Sequence, residues 1–159
     1  MAALSCQIEI RVRYAETDSM GVVHHSRYAV YFEMGRTELL RQQGIAYRDL
    51  EAAGVLFVVA KLAVQFRAAA RYDDELILTT QIDRITTARI DHSYRLAQKA
   101  TGQLVAEGQT TLACVDRQGR VIAIPESVRQ GRLQSKATTE DTEENRGHGE
   151  ETAEDKGQM

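Results

Sequence analysis

Residues 14–33, YAETDSMGVVHHSRYAVYFE, mark the point at which the hydrophobic pattern of the chain changes period. Upstream, residues 4–14 (LSCQIEIRVRY) alternate, with Cys6, Ile8, Ile10, Val12 and Tyr14 on one side and Gln7, Glu9, Arg11 and Arg13 on the other. A period of two predicts a strand with one wet face. Downstream of Ser26, the residues Tyr28, Tyr31, Phe32, Gly35 and Leu39 recur at spacings of three and four, opposite Arg27, Glu33, Thr37 and Arg41. That spacing predicts an amphipathic helix running to about Gln43, with Gly44 as its stop. Between strand and helix lies a polar segment holding Asp18, Gly21, His24 and His25.

Working outward, residues 47–53 predict a short helical turn ending at Gly54. Residues 55–66, 75–85, 88–99 and 104–116 read as strands, and a short VIAI run (121–124) precedes Pro125. Within 55–66, Leu62, Val64 and Phe66 face one way and Lys61, Ala63 and Gln65 the other. One long helix after the first strand, then four or five strands, predicts an α+β domain: an antiparallel sheet of five to six strands wrapped around one long helix. A single helix covers only one face. Small or apolar residues on the other face, together with an exposed edge strand, predict a dimer at least.

The chain has 159 residues, enough for one domain with a core that needs no staples. No uninterrupted apolar run approaches the roughly 18 residues of a membrane span. The N-terminal MAALSCQIEIRV moves at once into alternation and shows no secretory signal, so the cytoplasm is the expected compartment. Cys6 and Cys114, far apart in separate strands, are expected to be free buried thiols. The net charge of −3 is unevenly spread: residues 133–159 carry eight acids against three bases, or −5, which leaves about +2 on residues 1–132. This divides the chain into a folded domain, 1–132, and an acidic tail, 133–159, too poor in large apolar side chains to offset its ordering entropy and therefore expected to be disordered. No nucleic-acid partner and no membrane span are expected.

Asp18 admits two readings. Aspartate readily closes an Asx turn on its own backbone, and Gly21 permits a left-handed conformation close by. The same carboxylate stands before a helix N-terminus, whose unpaired N–H groups and partial positive charge can polarise a carbonyl oxygen. A base or nucleophile facing an oxyanion hole is the equipment of acyl transfer. His24 and His25 add a cap for the helix or an orienting partner for the carboxylate; adjacent histidines without HxH or HxxxH spacing give little support to a metal site. No GxSxG, P-loop, GxGxxG or CxxC motif is present.

The run RVRYAETDSMGVVHHSRYAVYFEMGRTELL, with FVVAKLAVQFRAAARYDDEL after it, closely resembles the hotdog-fold acyl-CoA thioesterases of the 4-hydroxybenzoyl-CoA thioesterase-like group, over about residues 7–128 through the pattern YxxTDxxGVVxHxxY. The resemblance implies hydrolysis of acyl-CoA to free acid and CoA, with Asp18 as the catalytic aspartate acting as nucleophile or general base. It implies that His25 is the histidine just before the helix and that its peptide N–H is the carbonyl-polarising donor. Tyr14, Gly21 and Tyr28 become packing or pocket positions. Arg89, and after it Lys61, become candidates for the phosphates of coenzyme A. It further implies a homodimer or homotetramer with sites built across subunits, and neither a metal nor a redox cofactor, since CoA belongs to the substrate. Acyl-carrier-protein thioesters, or acyl-CoA binding without turnover, are the alternative readings; a hotdog dehydratase fits less well, because the aspartate precedes the long helix. The tail has no counterpart in the resemblance, and His24 stands where an aromatic residue is usual.

Overall fold

Alternation makes Ser5–Arg11 a strand, β1, with Cys6 and Ile10 buried and Ser5, Gln7, Glu9 and Arg11 exposed. The strand stops short of the expected Tyr14. The Val12 N–H donates to the Asp74 carbonyl (2.9 Å) and the Val12 carbonyl accepts from Asp73 (3.0 Å), which turns the chain off the ladder into a 3₁₀ turn at Tyr14–Glu16. The computed structural model describes residues 4–134, so the acidic segment beyond Gln134, on which the expectation of a disordered tail falls, lies outside them.

Helix α1 (Arg27–Gln42) buries Tyr28, Tyr31, Phe32, Gly35 and Leu39, the stripe its spacing demanded, and ends at Gly44 with φ 77°. A short α2 (Tyr47–Ala52) follows. Strands β2 (Leu56–Phe66), β3 (Glu75–Ile85), β4 (Arg89–Gln98) and β5 (Leu104–Val115) complete one five-stranded antiparallel sheet in the order β1-β3-β4-β5-β2. The VIAI run is not a sixth strand: Val121 makes an isolated bridge to Val115, and Ile124 is simply buried. A last helix, α3 (Glu126–Gln134), was not expected from the sequence. Pro125 opens it, its carbonyl accepting from Val128 (3.0 Å) and Arg129 (3.2 Å).

Two glycines set how closely α1 lies on the sheet. A Cβ on Gly108 of β5 would overlap the Phe32 ring, and one on Gly35 would overlap the Thr80 and Leu78 side chains. Phe32 thereby stacks on Tyr94 with centroids 4.4 Å apart. Cys6 and Cys114 are free and buried, and burial pushes both thiols up.

The face away from α1 differs from expectation. Arg89, Asp91, Ser93 and Arg95 of β4 pair in register with Ala113, Thr111, Gln109 and Glu107 of β5. This face is polar, and Thr111 donates to Asp91 across it at 2.6 Å. Exposed apolar surface lies instead on β2. Helix α1 packs mainly on β1 and β3. Val59, Leu62 and Phe66, in register with Leu112, Thr110 and Ala106 on the inner face, stay half-exposed, Tyr28 of α1 reaching only the end of the strand at Phe66.

Candidate active site

After β1 the chain folds into a small hairpin. Thr17 bridges Val23, the Asp18 N–H donates to the Val22 carbonyl (2.9 Å), and the His24 N–H donates to the Glu16 carbonyl (2.9 Å). A bridge from Val22 to Arg71 and a bond from the Val23 N–H to the Ala70 carbonyl (2.8 Å) tie it to the segment before β3. At the tip, Gly21 adopts φ 74° and its N–H donates to the Asp18 carbonyl at 2.9 Å.

The two readings of Asp18 are compatible. Its Oδ1 accepts the Met20 N–H at 2.9 Å, which makes the Asx turn. Its Oδ2 has no hydrogen-bond partner among the described residues. The turn thus fixes the carboxylate while leaving one oxygen uncommitted among the described residues.

The foot of the hairpin is held by Glu16, which the sequence reading passed over. Its Oε2 accepts the Arg13 N–H (2.8 Å) and the Tyr31 hydroxyl (2.9 Å), and its Oε1 accepts the Arg13 guanidinium (2.9 and 3.1 Å). Burial alone would raise this carboxyl, but the bonds from Arg13 and Tyr31 outweigh it and hold Glu16 below the usual carboxylate range. Burial and the neighbouring carboxylate push the Tyr31 phenol up. The sequence held half a signal, an acid three residues after Arg13; the other half, Tyr31, comes from the helix and only from tertiary structure.

The histidines divide their tasks. His24 Nδ1 accepts the Ser26 N–H (3.2 Å) and lies 2.8 Å from the Ser26 hydroxyl, so this ring caps the start of α1. The exposed His25 ring lies 4.0 Å from the His24 ring, centroid to centroid. The His25 N–H donates to no group among the described residues, which leaves a free donor at the helix start.

The remaining candidates separate. Tyr14 is 78% exposed and meets Tyr72 edge-on at 5.7 Å, near the hairpin. Tyr28 is a core residue, edge-on to Phe66 at 5.0 Å, and burial raises its phenol. Lys61 sits on the polar face midway along β2, paired with Thr111. Arg89 opens β4 at the end of the sheet away from the hairpin, which abuts the β3 entry at Arg71. Ten residues of β4 at about 3.3 Å each put roughly 30 Å between the two ends. Among the described residues, no group of three or more His, Cys, Asp or Glu is placed to share a metal ion, and no helix is long and apolar enough to cross a membrane.

Comparison with known proteins agrees with this architecture. Acyl-CoA thioester hydrolase YbgC of Escherichia coli is 36% identical over 107 residues, covering 67% of this chain and 79% of the relative. Acyl-CoA thioesterase YbgC of Haemophilus influenzae is 34% identical over 122 residues, covering 76% and 88%. The crystal structure of DHNA-CoA thioesterase from Staphylococcus aureus superimposes with a TM-score of 0.73 at 28% identity, covering 82% of this chain and 84% of that one. Residues 12–131, from the end of β1 into α3, match the family described as the thioesterase-like superfamily. Those residues hold the hairpin, the long helix and four of the five strands, and the chain belongs to that superfamily, with its hotdog fold.

Proposed function

We propose that the chain hydrolyses acyl-CoA thioesters to free carboxylic acid and CoA. One observation carries the reading: a single locked hairpin holds the Asp18 carboxylate with one oxygen that is uncommitted among the described residues, and leads into a helix start whose His25 N–H is likewise unpartnered among them. The thioester oxygen takes the His25 N–H and the positive end of α1. Asp18 Oδ2 then attacks the carbonyl carbon, expelling thiolate and forming an anhydride that water cleaves, or draws a proton from the water that attacks. A thioester carbonyl is weakly resonance-stabilised and thiolate leaves readily, so neither route requires a strong acid. Relatives named as acyl-CoA thioester hydrolases support the choice of substrate.

The assembly proposed with it is at least a dimer, joined through β2. This edge strand leaves Val59, Leu62 and Phe66 exposed beside unpaired backbone groups, a surface that a second copy would cover. Arg89 then contacts CoA phosphates bound mainly by the other subunit.

The test is thiol release from acyl-CoA. Asp18→Asn keeps an oxygen for the Met20 N–H and so preserves the turn; activity is expected to fall by about 10²- to 10⁴-fold with little change in melting temperature. Equal activity in the variant would remove Asp18 from the chemistry. Single-turnover hydrolysis in heavy-oxygen water separates the routes, since label in Asp18 requires the anhydride and label in the product acid alone requires the base.

A further inference from the structure

A cavity of about 360 Å³ lies under the C-terminal half of α1, between that helix, α2 and the sheet. No residue of the Asp18 hairpin lines it. Its apolar lining includes Leu39 from the helix and Ile82, Ile90 and Leu112 from the strands.

Polar residues line it as well, among them His92 and Arg36. His92 is 5% exposed, and its Nδ1 has no hydrogen-bond partner among the described residues. Buried polar atoms are almost always paired, so an orphan imidazole nitrogen beside a cavity singles out this wall. Burial first and the Arg36 charge second push His92 down to about 4, so the ring is neutral at physiological pH. Arg36 keeps only 15% of its side chain exposed, and its ion pair among the described residues is loose, 3.5 Å to a Glu33 carboxylate that is itself 69% exposed. A guanidinium carries five donors in a rigid fork; Arg36 also bonds the Tyr94 hydroxyl, and five donors leave some over for a ligand.

We propose that this cavity is a binding site for a small monocarboxylate with a compact aliphatic or aromatic body. The Arg36 fork matches the geometry of a carboxylate, the neutral His92 ring adds a hydrogen-bonding edge, and the apolar walls take the body of the ligand. Glu33 and Glu51 on the rim disfavour a second negative charge on the ligand. The site stands on the cavity and not on the role of Asp18, although the acid released by thioester hydrolysis belongs to the same ligand class.

Titration calorimetry of the full chain with benzoate and hexanoate, against benzamide and hexanamide, tests it. The acids are expected to bind at least about 10-fold tighter than the amides of the same shape, as a charge-assisted bidentate contact requires. Arg36→Gln is expected to remove that difference, and Asp18→Asn to leave it intact. In proton–carbon spectra of the wild-type chain, the His92 ring signals should shift with added acid while those of His24 and His25 stay in place, a readout that needs no variant to fold. Equal affinity for acid and amide, no binding of either, an unchanged preference in Arg36→Gln, or shifts at His24 and His25 in place of His92 would each overturn the assignment.

Discussion

Glu16 anchors the hairpin that carries Asp18. Four hydrogen bonds from Arg13 and Tyr31 converge on its carboxylate, and its own carbonyl holds His24 at the foot of the hairpin. Glu16→Gln keeps the shape but weakens bonds to charged partners, each worth about 1.5–3 kcal/mol. It is expected to lower kcat roughly 10-fold through a loosened hairpin while KM moves less. Because the folded Glu16 carboxyl lies below its ordinary value, its contribution to stability is full at neutral pH and is lost as pH falls through that lowered value. Acid melts should therefore show a shallower loss below about pH 4 in Glu16→Gln than in wild type. His92 acts higher on the pH scale. Its pKa is lowered from 6.5 to about 4, so the unfolded chain binds a proton that the folded chain refuses, and stability falls as pH drops across that interval. His92→Phe is expected to flatten the dependence of melting temperature on pH between those values; an unchanged slope would show that His92 is not the group responsible. At this scale the sequence singles out Asp18, Gly21 and His25 because they sit within one loop, and it withholds Glu16 and His92 because their partners arrive from other elements.

Elements were the most legible level, and the misreadings have physical causes. The period-two and period-3.6 patterns located β1 to β5 and α1 within a few residues, since each pattern reflects burial on one face. β1 was read too long because Val12 and Tyr14 continue the alternation while the Val12 backbone has turned toward Asp73 and Asp74. α3 escaped because Pro125 was taken only as punctuation, although proline is at home in the first turn of a helix. The packing of α1 on the sheet depends on Gly35 and Gly108, whose lack of side chains no periodicity records. In an exposed helix, glycine to alanine gains about 1 kcal/mol. Gly35→Ala is expected to do the reverse and cost about 1–3 kcal/mol in urea unfolding, because the new Cβ meets Thr80 and Leu78. Gly108→Ala should cost a similar amount against Phe32.

For the molecule as a whole, the off-centre placement of α1 matters most. By packing mainly on β1 and β3, the helix leaves Val59, Leu62 and Phe66 of β2 half-exposed, with Tyr28 edge-on to Phe66 at the strand's end. Leu62→Glu places a charge in the middle of that strip and is expected to shift the sedimentation of the protein toward monomer at micromolar concentration. A wild-type protein that already sediments as a clean monomer would refute the proposed dimer. The sequence could foresee that some apolar surface stays exposed, but not that the broad outer face is polar and the edge strand is not. The length of the sheet has a genetic consequence. Asp18 lies toward the end of it opposite Arg89, about the length of β4 (roughly 30 Å) away, and in the proposed dimer a substrate that uses both takes them from different chains. Two defective proteins, Asp18→Asn and Arg89→Ala, are then complementary: refolded together in equal amounts, half the dimers are mixed, each mixed dimer regains one intact site, and about a quarter of wild-type activity returns.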